Sequence, residues 1–396
     1  MITVSIDEKE DTLSLRLMRA MDALKPSPAR FGHGAGHPSR RARRSARIAV
    51  AAISLAAGTV LSAVPNAYAD GGFGGQPISA FQANTSNLWF TGPTVGSADA
   101  GLGMAARTNP SIAVLSNGGH EAAFQANTGT LWFGGSQGDE NTGLGMAPGT
   151  SPSISGAPDT HFVVAFQANN GDLWITGPGF STVDTGLGMA AGTSPSVSYN
   201  GDTGDYRVAF QANTGILWFS GPGIGSVDTG LPMAADTSPS ITTTGGDFET
   251  AYQSSSGILA ISGGWGTGLL GLGMAPDTSP AITTTDTSEI TVPSGYQIAF
   301  QANTGYLWTT GGFGTYDTGL GMAAGTSPSI TGIEGYNADE AIFDYGAYHV
   351  AFQANTGYLW TFDTNVDFIN GSVFHSDSDT GLGMAADTSP STTSIG

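Results

Sequence analysis

AFQANTGYLW fills residues 299–308, GLGMA follows at 319–323, and TSPSI at 326–330. The first of these motifs recurs along the chain. It reads AFQANTSNLW at 80–89, AFQANTGTLW at 123–132, AFQANNGDLW at 165–174, AFQANTGILW at 209–218 and AFQANTGYLW again at 351–360. AYQSSSGILA at 251–260 is a worn copy, which brings the count to seven. The aromatic positions 81, 124, 166, 210, 252, 300 and 352 are separated by steps of 42 to 52 residues. Each copy is followed by a GLGMA-type segment, whose methionines are Met104, Met146, Met189, Met233, Met274, Met322 and Met384.

The motif reads locally as β-structure. Alternation such as that at 163–168 has the period of a strand. Asn-Thr-Gly is turn chemistry, with glycine supplying a positive φ, and Leu-Trp opens the return strand. A turn centred on Thr-Gly sets Gln82 opposite Trp89 and Ala83 opposite Leu88, with Phe81 on the Ala/Leu face. SPSI predicts another strand, with proline tolerated at its first position, and GLGMA a short fourth strand or an ordered loop. Three or four short strands repeating every 40–45 residues or so are the mark of a β-propeller, one blade per repeat. Seven copies exclude a trefoil. The first AFQAN strand has no SPSI strand before it, and the chain ends on TSPSTTSIG with no AFQAN strand after it. The expected fold is therefore all-β: a seven-bladed propeller closed by its C-terminal strand, which completes the N-terminal blade and leaves no orphan edge.

Residues 1–69 read as a leader. The basic block at 40–47, the apolar run at 48–64 and Ala67-Tyr68-Ala69 form a signal peptide over 40–69, predicting cleavage after Ala69. The propeller then spans 70–396, in a secreted protein with no membrane insertion after cleavage. Beyond the leader only Arg107 and Arg207 face 27 acids, a net charge of −25 with no lysine. That balance argues against nucleic acid, whose phosphates need clustered cations, and against anionic membranes and sulfated or sialylated glycans. Cysteine is absent, so the core alone must hold the fold.

The FQANTGxLW…GLGMAxGTSPSI pattern resembles that of bacterial seven-bladed β-propeller lectins of the tectonin/tachylectin-like kind, over nearly all of 75–393. The resemblance implies shallow sugar sites repeated around the ring, each lined by an aromatic ring and small polar side chains. Fucose-binding six-bladed propellers use an Arg, a Glu and a Trp in each pocket. This chain has no repeated Arg or Glu, so that site does not transfer.

Three repeated positions match the implied role. Trp89, Trp132, Trp174, Trp218, Trp308 and Trp360 offer flat indoles to the apolar face of a sugar. Gln82, Gln125, Gln167, Gln211, Gln301 and Gln353 each supply a donor and an acceptor, as do Asn84, Asn127, Asn169, Asn213, Asn303 and Asn355. Each also has a structural reading: inter-blade packing for the indole, turn geometry for the asparagine, and a buried backbone partner for the glutamine. Blade five departs, with Ala260 at the tryptophan position, Ser254-Ser255-Ser256 in the turn, and Trp265 five residues on. A repeated acid (Asp99, Asp184, Asp228, Asp317 and Asp379, with Asn141 in blade two) reads as a turn former. The methionines read as gap-filling core. Asp363-Thr364-Asn365-Val366-Asp367 mimics the start of a calcium loop without its glycine and glutamate. No metal site or cofactor is expected.

No nucleophile elbow, P-loop, dinucleotide fingerprint or zinc cluster appears, and the distinctive residues are repeated where a catalytic centre is unique. The sequence thus predicts a secreted, non-catalytic, multivalent protein binding neutral glycans of cell surfaces or polysaccharides. The alternative is a secreted scaffold meeting a protein or cell-surface partner through the insertion at 332–348.

Overall fold

The computed structural model describes residues 75–285, 295–333, 344–367 and 372–395. The leader and most of the expected 332–348 insertion lie outside these residues. What is described is seven four-stranded antiparallel sheets and no helix.

Every sheet has the same strand order from the ring axis outward: SPSI, AFQ, LW, and the strand ending in GLG. Blade one shows how the ring closes. Its innermost strand is the C-terminal Ser391–Ile395, followed by Gln76–Gln82, Asn87–Gly92 and Gly96–Gly103. Ser391 lies opposite Ala80 and Ile395 opposite Gln76. The expected closure is therefore present, and the first and last described strands share one sheet.

The hairpin register differs from expectation by one residue. Phe81 faces Trp89, and Gln82 faces Leu88. The turn is a three-residue loop rather than a two-residue one. Ala83 N–H donates to the Asn87 carbonyl at 2.9 Å, and Ser86, at φ 67°, takes the left-handed place that glycine fills in the other blades (Gly129 at φ 80°). A type I turn followed by one left-handed residue adds a position to the loop. That moves every pair along by one and exchanges the faces. Phenylalanine and tryptophan share one face of the blade, and glutamine lies on the other.

The core consists of seven apolar clusters, one between each pair of adjacent blades, including blade seven against blade one. At the first interface, Ile78, Ala80 and Leu88 of blade one meet Ala122, Phe124 and Ala126 of blade two. All seven GLGMA methionines are buried in these interfaces.

Two sets of polar bonds bind the blades together. In the first, the backbone N–H of Asn109 donates to Ser151 Oγ, and Ser151 N–H to Ser194 Oγ. The pattern runs on through Ser238, Ser279, Ser327 and Ser389, and Ser389 N–H donates to Asn109 Oδ1. Seven bonds of 2.7–2.9 Å form an unbroken circle. This explains the serine before each SPSI proline: it supplies acceptors for N–H groups at the ring's inner edge, which have no further strand to pair with. In the second set, GLGMA hands over to the next blade. Met104 bridges Ala126, and Ala105 N–H donates to the Gln125 carbonyl at 2.9 Å. GLGMA is thus the end of a fourth strand that crosses to its neighbour. The Asp363–Asp367 segment is strand, part of Tyr358–Asp367, and forms no calcium loop.

Candidate functional site

The three sequence-predicted positions are separated by the register. Each glutamine is buried, with 1–2% of its surface exposed. Gln82 Nε2 donates to the Ala105 carbonyl at 3.1 Å, and the same bond recurs from Gln125, Gln167, Gln211, Gln301 and Gln353 to the alanine of their own GLGMA segments. That carbonyl also accepts from the threonine of TSPSI, such as Thr108 Oγ1 at 2.8 Å. The glutamine thus has the buried backbone partner that a polar side chain in an apolar strand needs.

The asparagines stand exposed at the turns. Asn127 N–H donates to the Gly103 carbonyl of the preceding blade at 3.1 Å, and its side chain lies over that glycine. Asn84, Asn169, Asn213, Asn303 and Asn355 repeat the arrangement over Gly383, Gly145, Gly188, Gly273 and Gly321. Each asparagine therefore seals an inter-blade seam while its outer side remains open to solvent.

The indoles of Trp89, Trp132, Trp174, Trp218, Trp308 and Trp360 are half-buried. Each packs beside the GLGMA leucine of the blade before, as Trp132 does with Leu102 and Trp360 with Leu320. Trp132 Nε1 donates to Thr130 Oγ1 at 3.1 Å. The inner part of each ring belongs to the inter-blade core, and its remaining edge reaches the surface.

Beside that edge stands a residue that the sequence reading assigned only to a turn. On the outer strand, Asp99 is the direct cross-strand partner of Trp89, and Asn141 that of Trp132. Asp184, Asp228, Asp317 and Asp379 are the partners of Trp174, Trp218, Trp308 and Trp360. Directly paired residues share a face, so six blades present a row of buried Phe, half-buried Trp and exposed Asp or Asn. Oδ1 of each acid or amide accepts the N–H of the glycine two residues on, at 2.8–3.0 Å. That glycine is left-handed, for example Gly101 at φ 72°. The turn-forming role is real, and it fixes the side chain beside the indole. In blade five the row is Tyr252, Ala260 and Leu269, so tryptophan and acid are lost together. Trp265 does not refill the place. It lies in the following turn, 42% exposed, with its ring 5.4 Å from that of Tyr296.

Blades six and seven enlarge the row. Tyr306 and Tyr358, each 43% exposed, lie two residues before Trp308 and Trp360 on the same face of their strands.

No family model matches the chain, and neither does any curated protein. Solved structures do resemble it. The SapL1 lectin in complex with alpha methyl fucoside is 14% identical, covering 68% of this chain and 96% of its own, with a TM-score of 0.47. The fucose-specific lectin from Aleuria aurantia is 13% identical, covering 70% and 96%, with a TM-score of 0.44. BBS1N in complex with ARL6DN is 8% identical, covering 74% and 88%, with a TM-score of 0.45.

Two buried glutamates complete the inventory. Glu121 and Glu249 occupy one blade position, three residues before the AFQ aromatic, in blades two and five. Oε2 of Glu121 accepts Gln137 N–H at 3.1 Å, and Oε2 of Glu249 accepts Trp265 N–H at 2.7 Å. Burial pushes both carboxyls up to about 7 from the usual 4.5, against the lowering effect of these bonds. Neighbouring charges add to the rise: Asp139 and Glu140 for the first, Asp247 for the second. No repeat signal marks this position, because the other blades carry Ile78, Val163, Arg207, Gln297 and His349 there.

Proposed function

We propose that the protein is a secreted, non-catalytic, multivalent binder of neutral carbohydrate, with up to six similar sites around the ring. The observation that carries this reading is the row that sets tryptophan beside an exposed aspartate in five blades and beside Asn141 in blade two, and that is lost as a pair in blade five. An indole needed only for packing has no reason to disappear together with an exposed acid on another strand. The part of each indole that reaches solvent supplies a stacking surface for sugar C–H groups. The acid's Oδ2, which in blades one and three also accepts from Asn87 and Asn170, and the amide of the exposed turn asparagine supply directional partners for hydroxyls. The glutamines hold the GLGMA segment against which each indole rests, and act on the ligand only through it. The net charge of −25 beyond the leader favours uncharged over anionic sugars. Single shallow sites bind weakly. Several engaged together on one surface gain roughly 10²–10⁴ in avidity.

A glycan array on the purified protein, followed by calorimetry with the best neutral ligand, tests this reading. We expect a stoichiometry well above one. Copying blade five into blade six, as the double variant Trp308→Ala with Asp317→Leu, is expected to lower that stoichiometry by one site. Absence of binding to every neutral glycan overturns the reading.

A further inference from the structure

A cleft of about 280 Å³ opens between blades two and three. Its walls include Phe133 and Phe162, whose rings meet edge to face at 5.0 Å. Three acids also line it: Glu121, 1% exposed, and the exposed Asp139 and Glu140. One oxygen of Glu121 is held by Gln137 N–H, and the other, Oε1, is buried with no hydrogen-bond partner. A buried carboxylate oxygen without a partner is costly unless something pairs with it.

Among the described residues the chain supplies no free counter-charge. Beyond the leader it has two basic residues other than histidine, and both are engaged elsewhere: Arg107 with Asp387 at 3.3 Å, and Arg207 with Asp247 at 3.1 Å. A metal ion does not suit the place, since among the described residues no three His, Asp or Glu side chains converge as ligands. Phenyl walls instead suit a cation with a carbon body, because aromatic faces attract cations and line the path of an alkyl stem.

We infer that this cleft is a binding site for a protonated primary amine on a short carbon chain, distinct from the tryptophan–acid rows. The ammonium group donates to Glu121 Oε1, the exposed carboxylates of Asp139 and Glu140 add negative charge at the mouth, and the stem lies against Phe133 and Phe162. Charge-assisted bonds of this kind are about twice as strong as neutral ones. The chain contains its own comparison. Glu249 repeats Glu121 in blade five, but its neighbour Asp247 is already paired with Arg207. The cleft beside it, between blades five and six, is walled by Trp265, Leu270, Leu272 and Tyr296 with no acid.

Calorimetric titration with n-butylammonium at pH 8, where the Glu121 carboxyl is ionised even without a ligand, tests the inference, with 1-butanol as the uncharged match. Saturable binding of the amine alone is expected, weakening as salt rises. Glu121→Gln is expected to weaken it about tenfold or more, and Glu249→Gln to leave it unchanged. Glutamine fits the Glu121 position on the chain's own precedent. Gln297 stands there in blade six, with Oε1 accepting Phe313 N–H at 3.3 Å. Parallel titration with Nα-acetyl-lysine methylamide separates the two sources of this chemistry, a free alkylamine and a lysine side chain. Equal binding by the Glu121→Gln variant, equal binding of 1-butanol, or no saturable amine binding by the folded protein would each overturn the inference. Because none of these readouts involves sugar, they stand apart from the glycan experiment.

Discussion

At the scale of single residues, GLGMA contains two glycines for two different reasons. The first, such as Gly319 at φ 69°, sits in the left-handed region beside the aspartate that caps it. The second has ordinary backbone angles and is required by its neighbour in the next blade. A Cβ on Gly321 would fall within 3.0 Å of the Asn355 amide nitrogen, closer than real Cβ atoms come. The repeats record this dependence. Where blade four has Pro232 in place of the glycine, the facing turn of blade five has Ser255 in place of asparagine, and the backbone bond between them survives at 3.1 Å. Gly321→Ala is therefore expected to destabilise the protein by about 1–3 kcal/mol through overpacking. Asn355→Ser should recover more than half of that loss in the double variant. Thermal melts of the two single variants and the double variant form a cycle, and additive losses would show that the asparagine is not the obstacle.

At the scale of elements, the strands were legible and the faces were not. AFQ, LW and SPSI alternate clearly, and the missing strand at one end and spare strand at the other imply closure. The pairing of Gln82 was misplaced because Asn-Thr-Gly serves equally as a two-residue or a three-residue turn, and only the hydrogen bond from Ala83 to Asn87 separates them. One residue of slip decides whether the glutamine or the phenylalanine stands beside the indole. The aspartate was visible as a repeat, but its spacing from tryptophan runs 10, 9, 10, 10, 9 and 19 residues, so the partnership was hidden in turns of unequal length. Glu121 and Glu249 were hidden differently, as exceptions at a position with no consensus. They hold the turns between the third and outer strands of blades two and five, and this ties those turns to pH. Each folded carboxyl keeps its proton up to about pH 7, whereas the usual value is 4.5. Between these limits the folded protein binds protons that the unfolded chain has released. This contribution is complete below pH 4.5 and is lost as pH rises through 7. His120 and His375 act in the opposite sense, since burial lowers both below 6.5 and acid then favours the unfolded chain. The glutamate share is isolated by the double variant Glu121→Gln with Glu249→Gln. Its melting temperature should fall less than that of the parent between pH 5 and 8, by a few °C. Parallel pH profiles for the two proteins would show that the carboxyls are not the source.

At the scale of the whole molecule, each blade buries its two faces only against its neighbours, so the array is stable as a closed circle or has two bare ends. Ser391–Ile395 does three things at that closure. It pairs with Gln76–Ala80 to complete the first sheet. It supplies Ser391 Oγ to the N–H of Ile112 at 3.1 Å. It also follows, across Pro390, on Ser389, whose N–H donates to Asn109 and completes the serine circle. Deleting residues 388–396 removes all three while touching neither the tryptophan–acid rows nor the amine cleft. The N-terminal strand then becomes an open edge ready to pair with another chain. The neighbouring interface, where Phe81, Ala351 and Leu359 meet, loses the strand that seals its inner end. We expect the truncated protein to melt at least 10 °C lower, or to run as concentration-dependent oligomers by size-exclusion chromatography with light scattering, because repeat arrays depend on every interface. Restoring the missing strand in trans, as a peptide spanning 386–396, should return the monomer. If the truncated chain instead stays monomeric with an unchanged melt, the six remaining interfaces hold the ring unaided, and closure by the terminal strand contributes order to the first sheet without stabilising the wheel.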